Sequence, residues 1–241
     1  TEDGATEYVI EEDNWVSAAE FADSVGADIF STSLGYTEFD NASQNHTYAD
    51  MDGNTARISI ATDIAASKGI LPVCSAGNSG GTAWNFIGAP ADADSVLAVG
   101  AVDSLGKYAL FSSQGPSFDG RVKPNVVAQG QDAVVTNFNA GIFYVNGTSF
   151  SCPITAGLVA CLWQAHPTLT NMQILNAIEQ TASQYENPDS LLGHGISNFC
   201  AAHDSLVSVQ EVDMFEVFPN PSSGKVYLKI KGIQNLNIEV V

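Results

Sequence analysis

The chain has 241 residues, and its 8 Lys+Arg against 27 Asp+Glu leave a net charge of −19 at pH 7. A surface that acidic repels nucleic acid and anionic membranes, which removes both from the partners considered. Hydrophobic residues make up 45% and charged residues 15%, a balance that builds a buried core and excludes a disordered or coiled-coil chain. No run of 18 apolar residues is present, so no membrane span is predicted.

The chain opens on Thr1-Glu2-Asp3-Gly4, a polar stretch that reads like the interior of a longer sequence. Asn14 to Val25 is predicted as an amphipathic helix with Trp15, Ala18, Ala19 and Ala22 on one face and Gly26 as its stop. A short strand, Asp28 to Ser31, follows, and then a polar loop from Gly35 to Thr55. A second helix, Ala56 to Lys68, ends at Gly69 and feeds the apolar strand Ile70 to Cys74. Val96 to Val102 gives a third strand and Asn125 to Ala128 a fourth. Val134 to Phe138 and Ile142 to Val145 read as a hairpin. Helices alternating with continuously apolar strands predict an α/β fold, a doubly wound and mostly parallel sheet covered on both faces.

Ser149 to Ala165 is apolar on all sides, which predicts a helix buried in the centre of the domain. Thr170 caps a further helix, Asn171 to Ser183. Residues 204–218 read as a linker between a domain over 1–203 and a short β segment over 219–241. In that segment Val226, Leu228 and Ile230, then Ile238 and Val240, alternate as strands. The four cysteines, Cys74, Cys152, Cys161 and Cys200, are too sparse for a disulfide framework and are expected as buried free thiols. Cys152 and Cys161 lie nine residues apart on one helix, about 13 Å, too far to bridge.

Three segments carry chemistry. In Gly147-Thr148-Ser149-Phe150-Ser151-Cys152-Pro153 a serine stands at the N-terminus of a helix, where free N–H groups and the helix dipole favour developing negative charge. Taken alone, the same residues would serve equally as a Ser/Thr cap. Cys74-Ser75-Ala76-Gly77-Asn78-Ser79-Gly80 ends a buried strand and brings an amide to the carboxyl edge of the sheet, where ligand sites of open α/β sheets gather. Asn beside Gly is also a common turn pair. Ser31-Thr32-Ser33-Leu34-Gly35 leaves another strand at the same edge, with backbone able to pair with an extended peptide.

Together these segments resemble the subtilisin family of serine peptidases, over residues 10–203. Two further stretches are similar, Pro90-Ala91-Asp92 through Val99-Gly100-Ala101 and Phe111-Ser112-Ser113-Gln114-Gly115-Pro116 through Lys123-Pro124. The resemblance implies an endopeptidase acting through an acyl-enzyme. Ser149 would be the nucleophile and Asn78 the oxyanion donor, with Ser33-Leu34-Gly35 and Ser75-Ala76-Gly77 walling the substrate pocket. Ala128-Gln129-Gly130 departs from the family, which carries Pro in the middle. No cofactor or catalytic metal is implied, and a structural calcium ion is left open.

The larger departure is the base. The family's order is Asp, His, Ser along the chain, with the histidine in His-Gly-Thr, and that motif is missing here. His46 lies in a polar loop, His166 precedes Pro167, Gly193-His194-Gly195 follows the serine, and His203 sits near the domain's end. The expected partners are therefore a peptide or protein substrate and an upstream half of the same polypeptide that supplies His and Asp. A non-catalytic, subtilase-shaped binding or adhesion module is the alternative. An esterase of the α/β-hydrolase type is disfavoured because Ser151 stands where its Gly-x-Ser-x-Gly elbow needs glycine. Val217 to Val241, with Pro219-Asn220-Pro221, resembles the start of the sorting domain appended to proteins exported by the type IX system, implying a secreted or cell-surface protein.

Overall fold

A computed structural model describes residues 6–136 and 139–207, with the backbone of residues 215–218 and 227–230. Four strands, β1 (Ile29–Thr32), β2 (Leu71–Ser75), β3 (Leu97–Val102) and β4 (Val126–Gln129), form one sheet in sequence order. All three pairings are parallel, with Ile29 opposite Leu71, Val73 opposite Leu97 and Val99 opposite Val126. Every residue of β2 and β3 is buried, the pattern of strands covered on both faces.

Helices provide that cover. Leu71, Val73, Leu97, Val99 and Val126 pack with Cys152, Val159 and Leu162 of α3 (Thr148–Ala165) and with Ile174 and Ile178 of α4 (Asn171–Gln180). On the other side Phe30 packs against Ala65 of α2 (Arg57–Ser67) and against Trp15, Ala19 and Ala22 of α1 (Ile10–Ser24). The fold is the expected doubly wound, parallel α/β architecture. Both α1 and α2 end before a glycine with left-handed φ, Gly26 at +83° and Gly69 at +101°, as helix stops require. Thr170 and Gln173 cap α4 reciprocally. A two-stranded ribbon, β5 (Ala133–Thr136) with β6 (Ile142–Val145), precedes α3, and α5 (Phe199–Val207) follows α4.

Several expectations are corrected. The first helix starts at Ile10, four residues early, because Glu11, Glu12 and Asp13 form an acidic first turn suited to the dipole. Its inner face runs Glu12, Trp15, Ala19, Ala22, so Ala18 is exposed and a carboxylate takes a buried position. The central helix is one-sided. It packs on the sheet with Cys152, Val159 and Leu162 while Ile154 and Leu158 stay 46% and 43% exposed, since one sheet face covers one helix face. Cys74 and Cys152 are buried, but Cys161 and Cys200 are exposed free thiols. The loop expected over Gly35 to Thr55 contains two single 3₁₀ turns, Ala42–Gln44 and Tyr48–Asp50. The first compact unit ends at Leu206. In the second unit β7 (Phe215–Phe218), within the stretch expected as linker, pairs antiparallel with β8 (Tyr227–Ile230). Ile238 and Val240 lie outside the described residues.

Glu12 is only 1% exposed and meets His46 Nε2 at 2.6 Å. The hydrogen bond to Glu12 raises the His46 pKa above its usual value, against the opposing effect of burial, and Asp50 and Asp92 add to the rise. A raised folded-state value stabilises the protonated pair. That stabilisation is complete below the unfolded histidine's pKa of about 6.5 and disappears as pH rises through the folded value. Denaturant midpoints should fall accordingly above neutrality. Glu12→Gln should flatten that slope, and a slope that survives the substitution would assign it to other groups. The thiols give a second check. Burial pushes the Cys152 thiol up to about 11 and the Cys74 thiol further still. A disulfide reagent at pH 8 should therefore modify two of the four cysteines in the native protein and all four after denaturation.

Candidate active site

The carboxyl edge of the sheet is where β1 and β2 release their chains toward the N-terminus of α3. Ser149 is the second residue of that helix, so its N–H is one of the four with no intrahelical acceptor. Thr148, fully buried beside it, donates from both its N–H (2.9 Å) and its hydroxyl (3.0 Å) to Asn78 Oδ1. Two donors on one side fix the amide's orientation. The oxygen faces α3, and the Nδ2 donors are left toward the cleft. Thr148 Oγ1 in turn accepts the Gly77 N–H at 3.2 Å.

Gly77 has a φ of +106°, and a Cβ there would stand 2.8 Å from Ser113 Oγ. Only glycine combines that backbone conformation with that approach. On the β1 side, the Ser33 hydroxyl donates to the Ser149 carbonyl at 3.1 Å, and the Ser149 hydroxyl points back at the Ser33 carbonyl at 3.4 Å, a long contact. The nucleophile candidate is thus held loosely, with its oxygen toward the cleft.

A cavity of about 130 Å³ opens between these segments. From the expected set, Ser33, Leu34, Gly35, Ser75, Gly77, Asn78 and Ser149 line it. Ala76 does not: it is fully buried in a core cluster with Cys74 and Ala98, because alternate residues of an extended segment face opposite ways. Thr37, Ser79, Gly88, Ser113 and Thr148 also line the cavity and were not singled out from sequence. Ser113 and Thr148 lie inside stretches noted for their family pattern, which was the available signal. Thr37 and Gly88 are brought in by the antiparallel bridge between Tyr36 and Ala89, a long-range pairing invisible to local pattern. No lining residue is charged.

Among the described residues no histidine hydrogen-bonds to Ser149. His46 is spent on Glu12. The His194 backbone N–H donates to the Asn125 carbonyl, and its ring lies 5.2 Å from Tyr185. His166 and His203 face each other.

The chain is similar to known proteins of one family. The profile of the subtilase family matches residues 3–195. Subtilisin DY of Bacillus licheniformis is 36% identical over 188 residues, covering 78% of this chain and 61% of its own length. Subtilisin E of Bacillus subtilis (strain 168) is 36% identical over 151 residues, 62% of this chain and 38% of its own length. The chain therefore spans less than two thirds of the length of these relatives. Among solved structures, Sphericase superposes with a TM-score of 0.62 at 26% identity over 79% of this chain and 64% of its own. The prenylagaramide maturation protease PagA superposes at 0.65 and 24% identity over 81% and 67%, which speaks to the fold alone.

The buried Thr148 clamp can be tested without any activity. Thr148→Val keeps the shape but removes the hydroxyl donor to Asn78 and the acceptor for the Gly77 N–H. The expected cost is about 1–3 kcal/mol, seen as a lower denaturant midpoint at unchanged m-value. Unaltered stability would show that the clamp contributes nothing net.

Proposed function

The chain belongs to the subtilase family of serine peptidases, and from that membership we propose that it is the nucleophile-bearing part of a serine endopeptidase. The observation that carries the proposal is the convergence of Ser149, the Asn78 amide and the Ser33–Gly35 strand exit on one cleft. An extended peptide would pair with the backbone of Ser33 to Gly35 and set one side chain in the pocket, whose uncharged, hydroxyl-rich wall suits a neutral residue. Ser149 Oγ attacks the scissile carbonyl carbon while its proton passes to a general base. The new C–O bond places the oxyanion near Asn78 Nδ2 and the Ser149 N–H, donors already oriented before the charge develops. Collapse breaks the C–N bond, the base returns the proton to the leaving amine, and water hydrolyses the ester.

The base and its aspartate are proposed to lie in an upstream half of the same polypeptide. Two observations support this. No histidine of the described residues hydrogen-bonds to Ser149: the rings of His46, His166 and His203 are engaged elsewhere, and the His194 ring stands beside Tyr185. The sheet also ends at β1, which pairs only with β2 among the described strands. A further parallel strand fits that edge. The resemblance of Val217 to Val241 to a type IX sorting domain supports export to the cell surface or beyond.

The test uses a fluorescent phosphonate directed at active serines. Residues 1–241 alone should label slowly, since without a base Ser149 is an ordinary alcohol. The chain preceded by its upstream sequence should label within minutes, and Ser149→Ala should abolish that labelling. Rapid labelling of 1–241 would show that a base lies within this chain. No labelling of the extended chain would favour the binding-module alternative.

A further inference from the structure

His166 closes α3 at its C-terminus, and His203 stands on α5, 37 residues further along the chain. Seventeen residues of helix separate His166 from Ser149, about 25 Å at 1.5 Å per residue, so the pair is remote from the cleft. His166 Nε2 lies 3.0 Å from His203 Nδ1, with ring centroids 4.9 Å apart and ring planes at 50°. The rings are not stacked; their nitrogens converge.

That separation has a second chemical meaning besides a hydrogen bond. Imidazole nitrogens bind first-row divalent ions at about 2.0–2.1 Å, so two of them on one ion stand about 2.9 Å apart at a right angle and about 3.4 Å apart at the tetrahedral angle. The observed 3.0 Å falls within that span, and among divalent first-row ions such nitrogen ligands hold Cu(II) most tightly. We propose that His166 and His203 form a two-histidine site for a divalent late-transition ion, Cu(II) above the others. Its role is to tie the C-terminus of the central helix to α5.

The surroundings favour a cation there. The last carbonyls of the 18-residue α3 carry the negative end of its dipole, and the chain's net charge of −19 raises the local concentration of positive ions. Among the described residues no group of three His, Cys, Asp or Glu side chains is placed to hold an ion. Water then completes the coordination. Binding displaces the hydrogen that bridges the two rings. An ion bound only by the folded chain raises its stability by mass action.

The experiment is calorimetric titration of the 241-residue chain with NiCl₂ and with CuCl₂ at pH 7.5, in a Cys161→Ser/Cys200→Ser background that removes the exposed thiols as ligands. One equivalent should bind, and the melting temperature should rise with metal. His166→Ala and His203→Ala should each weaken binding at least tenfold, while His194→Gln leaves it unchanged. The electron paramagnetic resonance of the Cu(II) form should show nitrogen hyperfine coupling from equatorial imidazoles. That spectrum of the unsubstituted chain decides the matter even if a histidine variant loses its fold. Absence of binding, affinity unaltered in the double histidine variant, oxygen-only ligation in the spectrum, or tighter binding of Zn(II) than of Cu(II) would each overturn the proposal.

Discussion

The cleft depends on one buried contact, the double donation from Thr148 to Asn78 Oδ1. Asn78 comes from the loop after β2, and Thr148 opens the helix that packs beneath the sheet. Without that contact the amide would be free to present either its oxygen or its nitrogen to the cleft. The Thr148 N–H can only donate, so it selects the amide oxygen, and the hydroxyl turns its hydrogen to the same atom. The same hydroxyl accepts from Gly77, so loop backbone and amide are fixed by one side chain. The reciprocal contact between Ser33 and Ser149 then adds the β1 exit to the assembly. Three segments distant in sequence thus meet because the N-terminus of α3 offers donors and a carbonyl to each of them. Inside a low-dielectric site such a network is worth more than its separate bonds.

A second polar network holds the wall behind the pocket. Lys123, 1% exposed, donates to the Ala93 carbonyl at 2.8 Å and to Asn125 Oδ1 at 3.1 Å. Asn125 also receives the Ala98 N–H and donates to Glu179 on α4. Asp92, fully buried, accepts from the Ser59 hydroxyl of α2 and the Gly53 N–H. Burial moves both ionisable groups toward neutrality, the lysine down to about 8 and the aspartate upward. Buried charges of this kind are a poor source of net stability. What they specify is position: the segment from Gly88 to Ser95 is anchored to α2 and to the start of β4, and through Ala89 it holds Tyr36 and so Thr37 at the pocket. The pocket wall is therefore set by groups that never touch its contents.

How much of this was legible in the sequence follows from the range of each interaction. The strands were readable because burial on both faces leaves continuous apolar runs such as Leu97 to Val102, and register displaced their ends by only one residue. Ser149, Asn78 and the Ser33–Gly35 strand were readable because each lies at a strand or helix terminus whose local chemistry announces it. Glu12 was not. A carboxylate on the inner face of a helix contradicts the amphipathic pattern, and its partner His46 lies 34 residues away. Thr37 and Gly88 were hidden for the same reason, since they reach the cavity through the Tyr36–Ala89 bridge.

The one-sided burial of α3 shows the limit of composition as a guide. Ile154, Leu158 and Cys161 are as apolar as the residues facing the sheet, yet they are half-exposed or exposed. A helix apolar all round predicts cover all round, and the described residues supply it on one side. The β5–β6 ribbon shows the same mismatch, with Val134, Ile142 and Tyr144 more than 60% exposed. Apolar surface gains about 25 cal/mol per Å² when removed from water, so neither face is indifferent to a partner. One lies on the helix that carries Ser149 and the other immediately precedes that helix in the chain. Covering either would therefore stabilise the elements that carry and precede Ser149.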